Sequence, residues 1–456
     1  TQGVSSAASD VYKRQVSIRI GGDSQDRSWW SSSSLLPAPE IGLFRQQPTF
    51  LANLLPSARG SEYIMTPQWI RTTAKLLRAT HSPTILGLNL AEDNPRHVAG
   101  FAKSFRRAMP KGQIQAYEVG NEPSLYWRFP AHWYKRQSQW VPSSHKRNFQ
   151  YRNLIRGWRA YQSSLRRQLG SRVPLAGTAL GCPGMRWCDR TGDIYSMFKP
   201  NLRIATIHVY ALRQPSHAQD RVPSNPNYPT IEQLLDDHNT VKIARRIGPQ
   251  ISAAKRHNLP LRLDEFNTVP FGGAPGVSDR FVSALWAIES MFAMRGAGVD
   301  GINFHFGYGT AYRPFWIDWR SGKPRAQVAP IYYGLYLFAQ AIKHSAAILP
   351  QTFKGIHPGL HSWMLQGNDK HLRVVAVNKN NHSQKILIGF NKSGLAKVSV
   401  LSAPSLSSSS GVKWEGRQFG TDGKLHGRTR VLRLHPHHGL YSVSIPAESA
   451  ALIALP

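Results

Sequence analysis

Acidic residues are scarce in this chain: 25 Asp and Glu stand against 57 Lys and Arg, a formal net charge of +32. Cysteine is scarcer still. Cys182 and Cys188 are the only two, which excludes a zinc ribbon and a disulfide scaffold, although the pair could bridge a short loop in an oxidising compartment. No run approaches the ~18 apolar residues of a membrane span. Residues 1–15 (TQGVSSAASDVYKRQ) lack the apolar core of a signal peptide and read as a leader or linker outside the fold. There is no Gly-x-Ser-x-Gly elbow, no P-loop and no His-Glu-x-x-His, so serine-hydrolase, nucleotide-hydrolase and zincin chemistries have no support. His435-Pro-His-His lacks further ligands, and neither a metal nor a cofactor is expected.

The excess of positive charge would draw in a polyanion at low salt, whether nucleic acid, acidic polysaccharide or anionic membrane. Its densest stretch runs from Lys135 through Arg136, Lys146, Arg147, Arg152, Arg156, Arg159, Arg166 and Arg167 to Arg172. Leu154, Trp158, Tyr161, Leu165 and Leu169 recur within it at helical spacing, so these charges read as the solvated face of an amphipathic helix. The chain also carries 13 Trp and 16 Tyr, a content that suits stacking on flat sugar faces.

From Val16 to His344, short apolar runs alternate with amphipathic stretches, the pattern of repeated βα units. Strands are predicted at Val16–Ile20, Thr84–Leu90, Gln115–Val119, Pro174–Leu180, Ile204–Val209, Leu261–Phe266 and Gly301–Phe306. Helices are predicted at Pro67–Ala79, Asn148–Leu169, Ile231–His257, Asp279–Ala297 and Ala329–His344. Seven strands are one short of a (β/α)8 TIM barrel, and the simplest account is an α/β barrel over 16–346 whose first strand is missing from this sequence. Beyond residue 347 the pattern turns to period-two alternation, as in Leu372–Asn378, Lys385–Phe390, Lys397–Leu401 and Leu440–Ile445, which predicts an antiparallel β-sandwich over 347–456. Ser31–Ser34 and Ser407–Ser410 read as loops, and Asn381-His-Ser and Asn391-Lys-Ser match the glycosylation sequon.

Barrel chemistry is done at the C-terminal ends of the strands, so a polar residue closing an apolar strand is the first candidate. Two predicted strands end this way with glutamate: Gln115-Ala-Tyr-Glu-Val-Gly-Asn-Glu-Pro carries Glu122, and Leu261-Arg-Leu-Asp-Glu-Phe-Asn carries Glu265. Acetal hydrolysis with retention needs two carboxyls ~5–5.5 Å apart, one to protonate the leaving group and one to attack the anomeric carbon. Pro123 adds specificity, because it stiffens the turn and removes a donor where the strand exits. A lone strand-terminal Glu is more often an ion-pair partner; a pair on two barrel strands is the stronger signal.

Asn121-Glu122-Pro123 with a second glutamate three strands later resembles the clan A retaining glycosidases. Arg19-Ile-Gly-Gly-Asp-Ser-Gln-Asp and Glu265-Phe-Asn-Thr-Val-Pro-Phe-Gly-Gly-Ala-Pro-Gly-Val-Ser-Asp resemble glycoside hydrolase family 79, the β-glucuronidase and heparanase-like enzymes. The resemblance makes Val16–Ile20 the family's second strand. It implies Glu122 as acid/base, Glu265 as nucleophile, Asn121 on the sugar 2-OH, Tyr210 beside the nucleophile and Asp26 on sugar hydroxyls. A uronate carboxylate would meet the backbone of Gly272 and Gly273 and the hydroxyl of Tyr312, with Tyr308 as an alternative to Tyr312 because the loop spacing departs from the family. His208 reads equally well as a packed histidine, Asp26 as a helix cap and Gly272-Gly273 as an ordinary turn.

The partner implied is a β-glucuronide or an acidic polysaccharide, with no nucleic acid required, and the compartment is secreted, extracellular or lysosome-like. Two other readings stay open: a clan relative acting on a neutral sugar, and an inactive polyanion-binding homologue that uses the +32 charge.

Overall fold

The computed structural model describes residues 16–32, 63–126, 133–136, 139–142, 149–215, 217–352, 354, 357–389 and 394–456. Asn391 of the second sequon, Ser33, Ser34 and the basic residues Lys146 and Arg147 lie outside them. The chain forms two compact units that interleave along the sequence: one holds 1–209, 247–266 and 298–304, the other 210–246, 267–297 and 305–456.

The first unit is built on seven parallel strands in chain order: β1 (Ile18–Ile20), β2 (Thr84–Leu88), β3 (Ile114–Val119), β4 (Leu175–Gly181), β5 (Leu202–Tyr210), β6 (Leu261–Asn267) and β7 (Gly301–Phe304). Each was legible as an apolar run because a parallel strand buried on both faces has no polar side to show. The sheet curls until its edges nearly meet, and Asn303 of β7 donates its amide to the carbonyl of Ser17, just before β1, at 2.8 Å. It is a nearly closed barrel of seven strands. Ile85, Ala116, Ala176 and Ile204 fill its centre.

Helix α1 (Pro67–Thr80) starts at Thr66, whose hydroxyl accepts from the amide of Trp69 at 3.2 Å, and α2 (Pro95–Ala108) starts the same way at Asn94. Helix α3 (Tyr151–Leu169) buries Leu154, Ile155, Trp158, Tyr161, Leu165 and Leu169. Its Arg152, Arg156, Arg159, Arg166 and Arg167 are exposed, as the periodicity predicts for a solvated face. The predicted helix 231–257 is instead three short pieces, Ile231–Leu235, Ile243–Ile247 and Gly248–Arg256. Pro249 has no N–H to donate back to the preceding turn and fits the first turn of a helix, so a new piece starts at Gly248. Cys182 and Cys188 form a disulfide.

In the second unit, strands 360–366, 372–378, 449–454 and 396–402 form the body of an antiparallel sheet, faced by the pair 384–389 and 440–445. Ile388, Tyr441, Val443 and Ile445 from the pair pack with Val374, Ala376, Val398 and Ile453 from the sheet, closing a sandwich core. Helices 282–297 and 330–341 belong to this unit. Buried Glu289 is held there by Lys379 at 3.2 Å and His361 at 2.6 Å.

Candidate active site

Local backbone geometry puts the two glutamates where their side chains can meet. After β3, Gly120 sits at φ +80, and a side chain there would strike Leu90 and the Tyr126 hydroxyl, so only glycine fits. Glu122 follows in left-handed geometry (φ 44, ψ 51), its amide donating to the Ala179 carbonyl at 2.9 Å, and Pro123 opens a 3-10 turn. Left-handed backbone costs a non-glycine residue about 1–2 kcal/mol, a strain typical of functional positions. Gly181, closing β4, leaves room for the carboxylate: a Cβ there would lie 3.1 Å from Glu122 Oε1. On β6 the register against β7 shifts between Leu263 and Phe266. Such a bulge breaks the alternation of faces, and both Asp264 and Glu265 approach the same guanidinium.

One oxygen of Glu122, one of Glu265 and a ring nitrogen of His208 all lie within 4.8 Å of one another. His208 Nδ1 is 3.2 Å from Glu122 Oε1 and 3.7 Å from Glu265 Oε2. The surroundings of the two carboxylates differ. Arg19 of β1 donates from Nη1 to Glu265 Oε2 at 3.0 Å, a fixed positive charge beside this glutamate. Glu122 has no arginine or lysine ion pair among the described residues, and its side chain is the more exposed of the two, 16% against 7%. Three side chains of this kind could also ligate a metal ion, but a guanidinium already at Glu265 opposes a second cation there.

Arg19 is the hub beneath the pair. It donates to Glu118 Oε2 at 2.6 Å and to Asn121 Oδ1 at 2.9 Å, and it lies 3.3 Å from Asp264. Burial works against its charge, yet Glu118, Asp264 and Glu265 outweigh that and raise its pKa. Burial also opposes the charge of Glu118, but Arg19 holds this carboxyl below its ordinary value, and Thr206 donates to it at 2.9 Å. Burial, then the charge of Glu118, push Asp264 well above the usual carboxylate range. One guanidinium thus faces three carboxyl groups, with Glu118 held below its ordinary value and Asp264 pushed above it.

Asp26 is placed differently from a sugar ligand. Its Oδ1 accepts from the Leu90 amide at 2.9 Å, and its Oδ2 from the Asn121 amide and the Tyr126 hydroxyl, both at 2.7 Å; the Ala91 amide is a fourth donor. A carboxylate offers about four acceptor positions, so Asp26 is saturated as an anchor for the loop that carries Asn121 and Glu122. Burial pushes its carboxyl up to about 7, against these donors. Asn121 has its amide oxygen on Arg19 and one amide hydrogen on Asp23 Oδ1 at 3.2 Å.

The other nominated residues lie in the second unit. Tyr210 and Tyr312 both bring their hydroxyls to His305 Nδ1, at 2.8 and 3.2 Å. Gly272 and Gly273 have φ +93 and +87, and a Cβ on Gly273 would press at 3.0 Å on both Ser278 and the Tyr312 ring. The Ala311 amide donates to the Gly272 carbonyl at 2.7 Å, tying the glycine turn to the loop that carries Tyr312. Tyr312 is buried and Tyr308 is 81% exposed.

No family model and no curated protein matches the chain. Solved structures do. A 4-O-α-L-rhamnosyl-β-D-glucuronidase from Fusarium oxysporum 12S, in complex with Rha-GlcA, superposes with a TM-score of 0.74 at 16% identity over 96% of this chain and 88% of that one. A GH51 arabinofuranosidase from Xanthomonas axonopodis pv. citri gives 0.61 at 15% identity over 98% and 89%. A family 44 endoglucanase from Clostridium acetobutylium ATCC 824 gives 0.59 at 11% over 96% and 93%. The chain has the fold of these glycoside hydrolases.

Sequence reasoning missed Arg19, Glu118, Asp264 and His305 as parts of these clusters. His305 follows the apolar run Gly301-Ile-Asn-Phe, so the rule that found the glutamates, a polar residue closing an apolar strand, also finds it. The other three carried a weaker signal: Arg19 and Glu118 are charges between apolar neighbours within a strand, and Asp264 stands between Leu263 and Glu265.

Proposed function

We propose that this protein is a retaining glycoside hydrolase that cleaves β-linked glucuronic acid from glycans or glycoconjugates. The observation that carries the reading is the approach of Glu122 and Glu265 to within 4.8 Å, with a guanidinium at one and, among the described residues, none at the other. Inversion needs ~6.5–9.5 Å to seat a water between the carboxyls, whereas direct attack needs ~5–5.5 Å. Glu265, beside Arg19, is the nucleophile: its oxygen bonds to the anomeric carbon as the glycosidic C–O bond breaks, while Glu122 gives its proton to the departing oxygen. Water then adds to the anomeric carbon, losing a proton to Glu122 and releasing Glu265. Asn121 has a second amide hydrogen to offer the sugar 2-OH, and Arg19 and Asp23 fix which way that amide points.

Specificity for a uronate is supported by the resemblance of the Arg19 and Glu265 segments and by the glucuronidase among the fold relatives. In this reading the backbone of Gly272 and Gly273 and the Tyr312 hydroxyl receive the sugar carboxylate. Positive φ at both glycines, without a Cβ, suits a backbone that must approach an anion closely. The disulfide fits a secreted or lysosome-like setting, and no described helix is long and apolar enough to cross a membrane. The neutral-sugar alternative is favoured by the arabinofuranosidase and endoglucanase relatives.

The test is kcat/KM on an aryl β-glucuronide beside the matching β-glucoside, with Glu265→Gln and Glu122→Gln. Glu265→Gln should abolish turnover. Glu122→Gln should still release a good leaving group and accumulate a glycosyl-enzyme, because only poor leaving groups need the proton. Preference for the glucoside would shift the assignment to a neutral sugar, and equal loss in both variants on activated and natural substrates would overturn the roles.

A further inference from the structure

The first unit carries a cavity that neither the catalytic pair nor the uronate reading uses. It has a volume of about 660 Å³ and lies at the N-terminal ends of β3 and β4, whereas Glu122 follows the C-terminal end of β3. That volume is in the range of small-molecule sites. Its walls are largely apolar: Met109 and Leu169 stand at the ends of α2 and α3, with Ile114 and Val173 where the strands begin.

Two further features select its occupant. Tyr117 lines the cavity and is 1% exposed, and its hydroxyl has no hydrogen-bond partner among the described residues. A buried hydroxyl left in that state opposes folding, so a plain crevice between helices would favour phenylalanine there. Burial holds the phenol well above its ordinary pKa, against the charge of Arg106, so it is a neutral donor at pH 7. The second feature is charge. Arg106, Lys111 and Arg172 line the cavity and are exposed, and among the described residues no Asp or Glu lines it. The carbonyls that end α2 and α3 would repel an anion, but Arg78 donates to the Ala108 carbonyl at 2.6 Å and Arg106 to the Leu169 carbonyl at 2.7 Å.

We infer that this cavity binds a small organic anion with an apolar body, an aryl carboxylate by chemical class. Its ring lies against Met109, Leu169 and Val173, and its carboxylate accepts from the Tyr117 hydroxyl, with Arg106, Lys111 and Arg172 supplying the opposite charge. An inorganic anion would leave the apolar walls uncovered, and a neutral arene would leave the cations and the phenol unused. The site is separate from the proposed activity and does not depend on it.

The experiment is calorimetric titration of the full chain with trans-cinnamate, with trans-cinnamamide, which keeps the ring and loses the charge, and with acetate, which keeps the charge and loses the ring. The parent should bind a single cinnamate per chain, and the amide and acetate at least about tenfold more weakly. Tyr117→Phe and the double variant Lys111→Gln/Arg172→Gln should each lose about tenfold in affinity for cinnamate; Arg106 stays in place because it caps α3. Without ligand, Tyr117→Phe should melt no lower than the parent, since it removes a buried group that the fold leaves unpaired, and cinnamate should raise the Tm of the parent more than that of Tyr117→Phe. Absence of saturable cinnamate binding to the parent, equal binding of the amide or of acetate, or undiminished binding in either variant overturns the site. A ligand-free Tyr117→Phe that melts well below the parent overturns it too, because the hydroxyl would then already serve the fold.

Discussion

Replacing Arg19 by methionine tests the hub beneath the two glutamates. The substitution keeps the approximate length of the side chain and removes the only arginine or lysine contacting Glu118, Asp264 and Glu265 among the described residues. Breaking a buried ion pair from one side costs about 3–5 kcal/mol, because the partner is left charged and buried. Here two carboxylates lose their partner at once, so the upper end of that range applies at pH 7. The dependence on pH has a definite sign. Glu118 lies below its ordinary value of 4.5 in the folded chain, so the stability it draws from Arg19 is present above that pH and is lost as pH falls through the folded value. Asp264 is pushed the other way, by burial and then by the charge of Glu118. Urea denaturation of Arg19→Met should therefore show its full deficit at pH 7 and a smaller one near pH 4. Because the same guanidinium holds the Asn121 amide, kcat should fall at least as steeply as stability, and Arg19→Lys, which keeps one charge but not the fork, should restore stability better than turnover. A variant with unchanged stability at pH 7, or a deficit that does not vary with pH, would refute this account of the cluster.

The remaining predictions concern single contacts. Asp26→Asn exchanges two acceptor oxygens for one acceptor and one donor that faces backbone N–H groups. It should cost about 2–4 kcal/mol and lower kcat through Asn121, whereas unchanged thermal stability with only a raised KM would return Asp26 to the role of sugar ligand. Gly273→Ala, at φ +87 with Ser278 and Tyr312 at 3.0 Å, should cost about 1–2 kcal/mol and reduce turnover of a β-glucuronide more than of a β-glucoside. A uniform loss on both would argue for a purely structural glycine. Added salt should weaken kcat/KM on a polymeric acidic glycan far more than on methyl β-glucuronide, since exposed charges are screened beyond ~8 Å at physiological ionic strength; parallel decline would mean that the basic surface is no substrate track.

The fold was legible in the sequence because the barrel strands are short apolar runs set between amphipathic helices, and all seven appear where the runs lie. Glu122 and Glu265 were legible for the same reason: each closes such a run. Helix α2 went unread although Asn94-Pro95 is a cap followed by a favoured first-turn proline. The hairpin 315–328 pairs strands of only four residues across a charged turn, too short for a clear period-two signal. Arg19 could not be found from composition in a chain with 57 basic residues. A buried arginine and a solvated one look alike until the carboxylates around it are placed, and Glu118 and Asp264 become its partners only through strand order and the bulge on β6. Asp26 shows the converse: a resemblance picked out a residue at the right place, and only its four donors reveal what its oxygens are occupied with.

The contrast between the chain and its site bears on how an acidic sugar would be handled. The protein is strongly basic, yet the clustered charges in its first unit are one guanidinium against the carboxyl groups of Glu118, Glu265, Glu122 and Asp264, the last pushed by burial well above the usual carboxylate range. Even with Asp264 and Glu122 both protonated that cluster carries one net negative charge, so it offers a uronate no attraction. Two carboxylates a few ångströms apart in a poorly hydrated site repel by several kcal/mol. A glucuronate could be accepted there only if its own carboxylate were received by neutral donors away from the glutamates, which is the task backbone amides and a phenol perform without adding a formal charge that would disturb the balance at Glu265. Under the proposed function the basic surface would act at the stage of encounter, where a screened long-range field raises the local concentration of a polyanion without entering the chemistry. Separating the two tasks lets the positive charge grow large on the surface while the reacting centre stays poised by a single buried arginine.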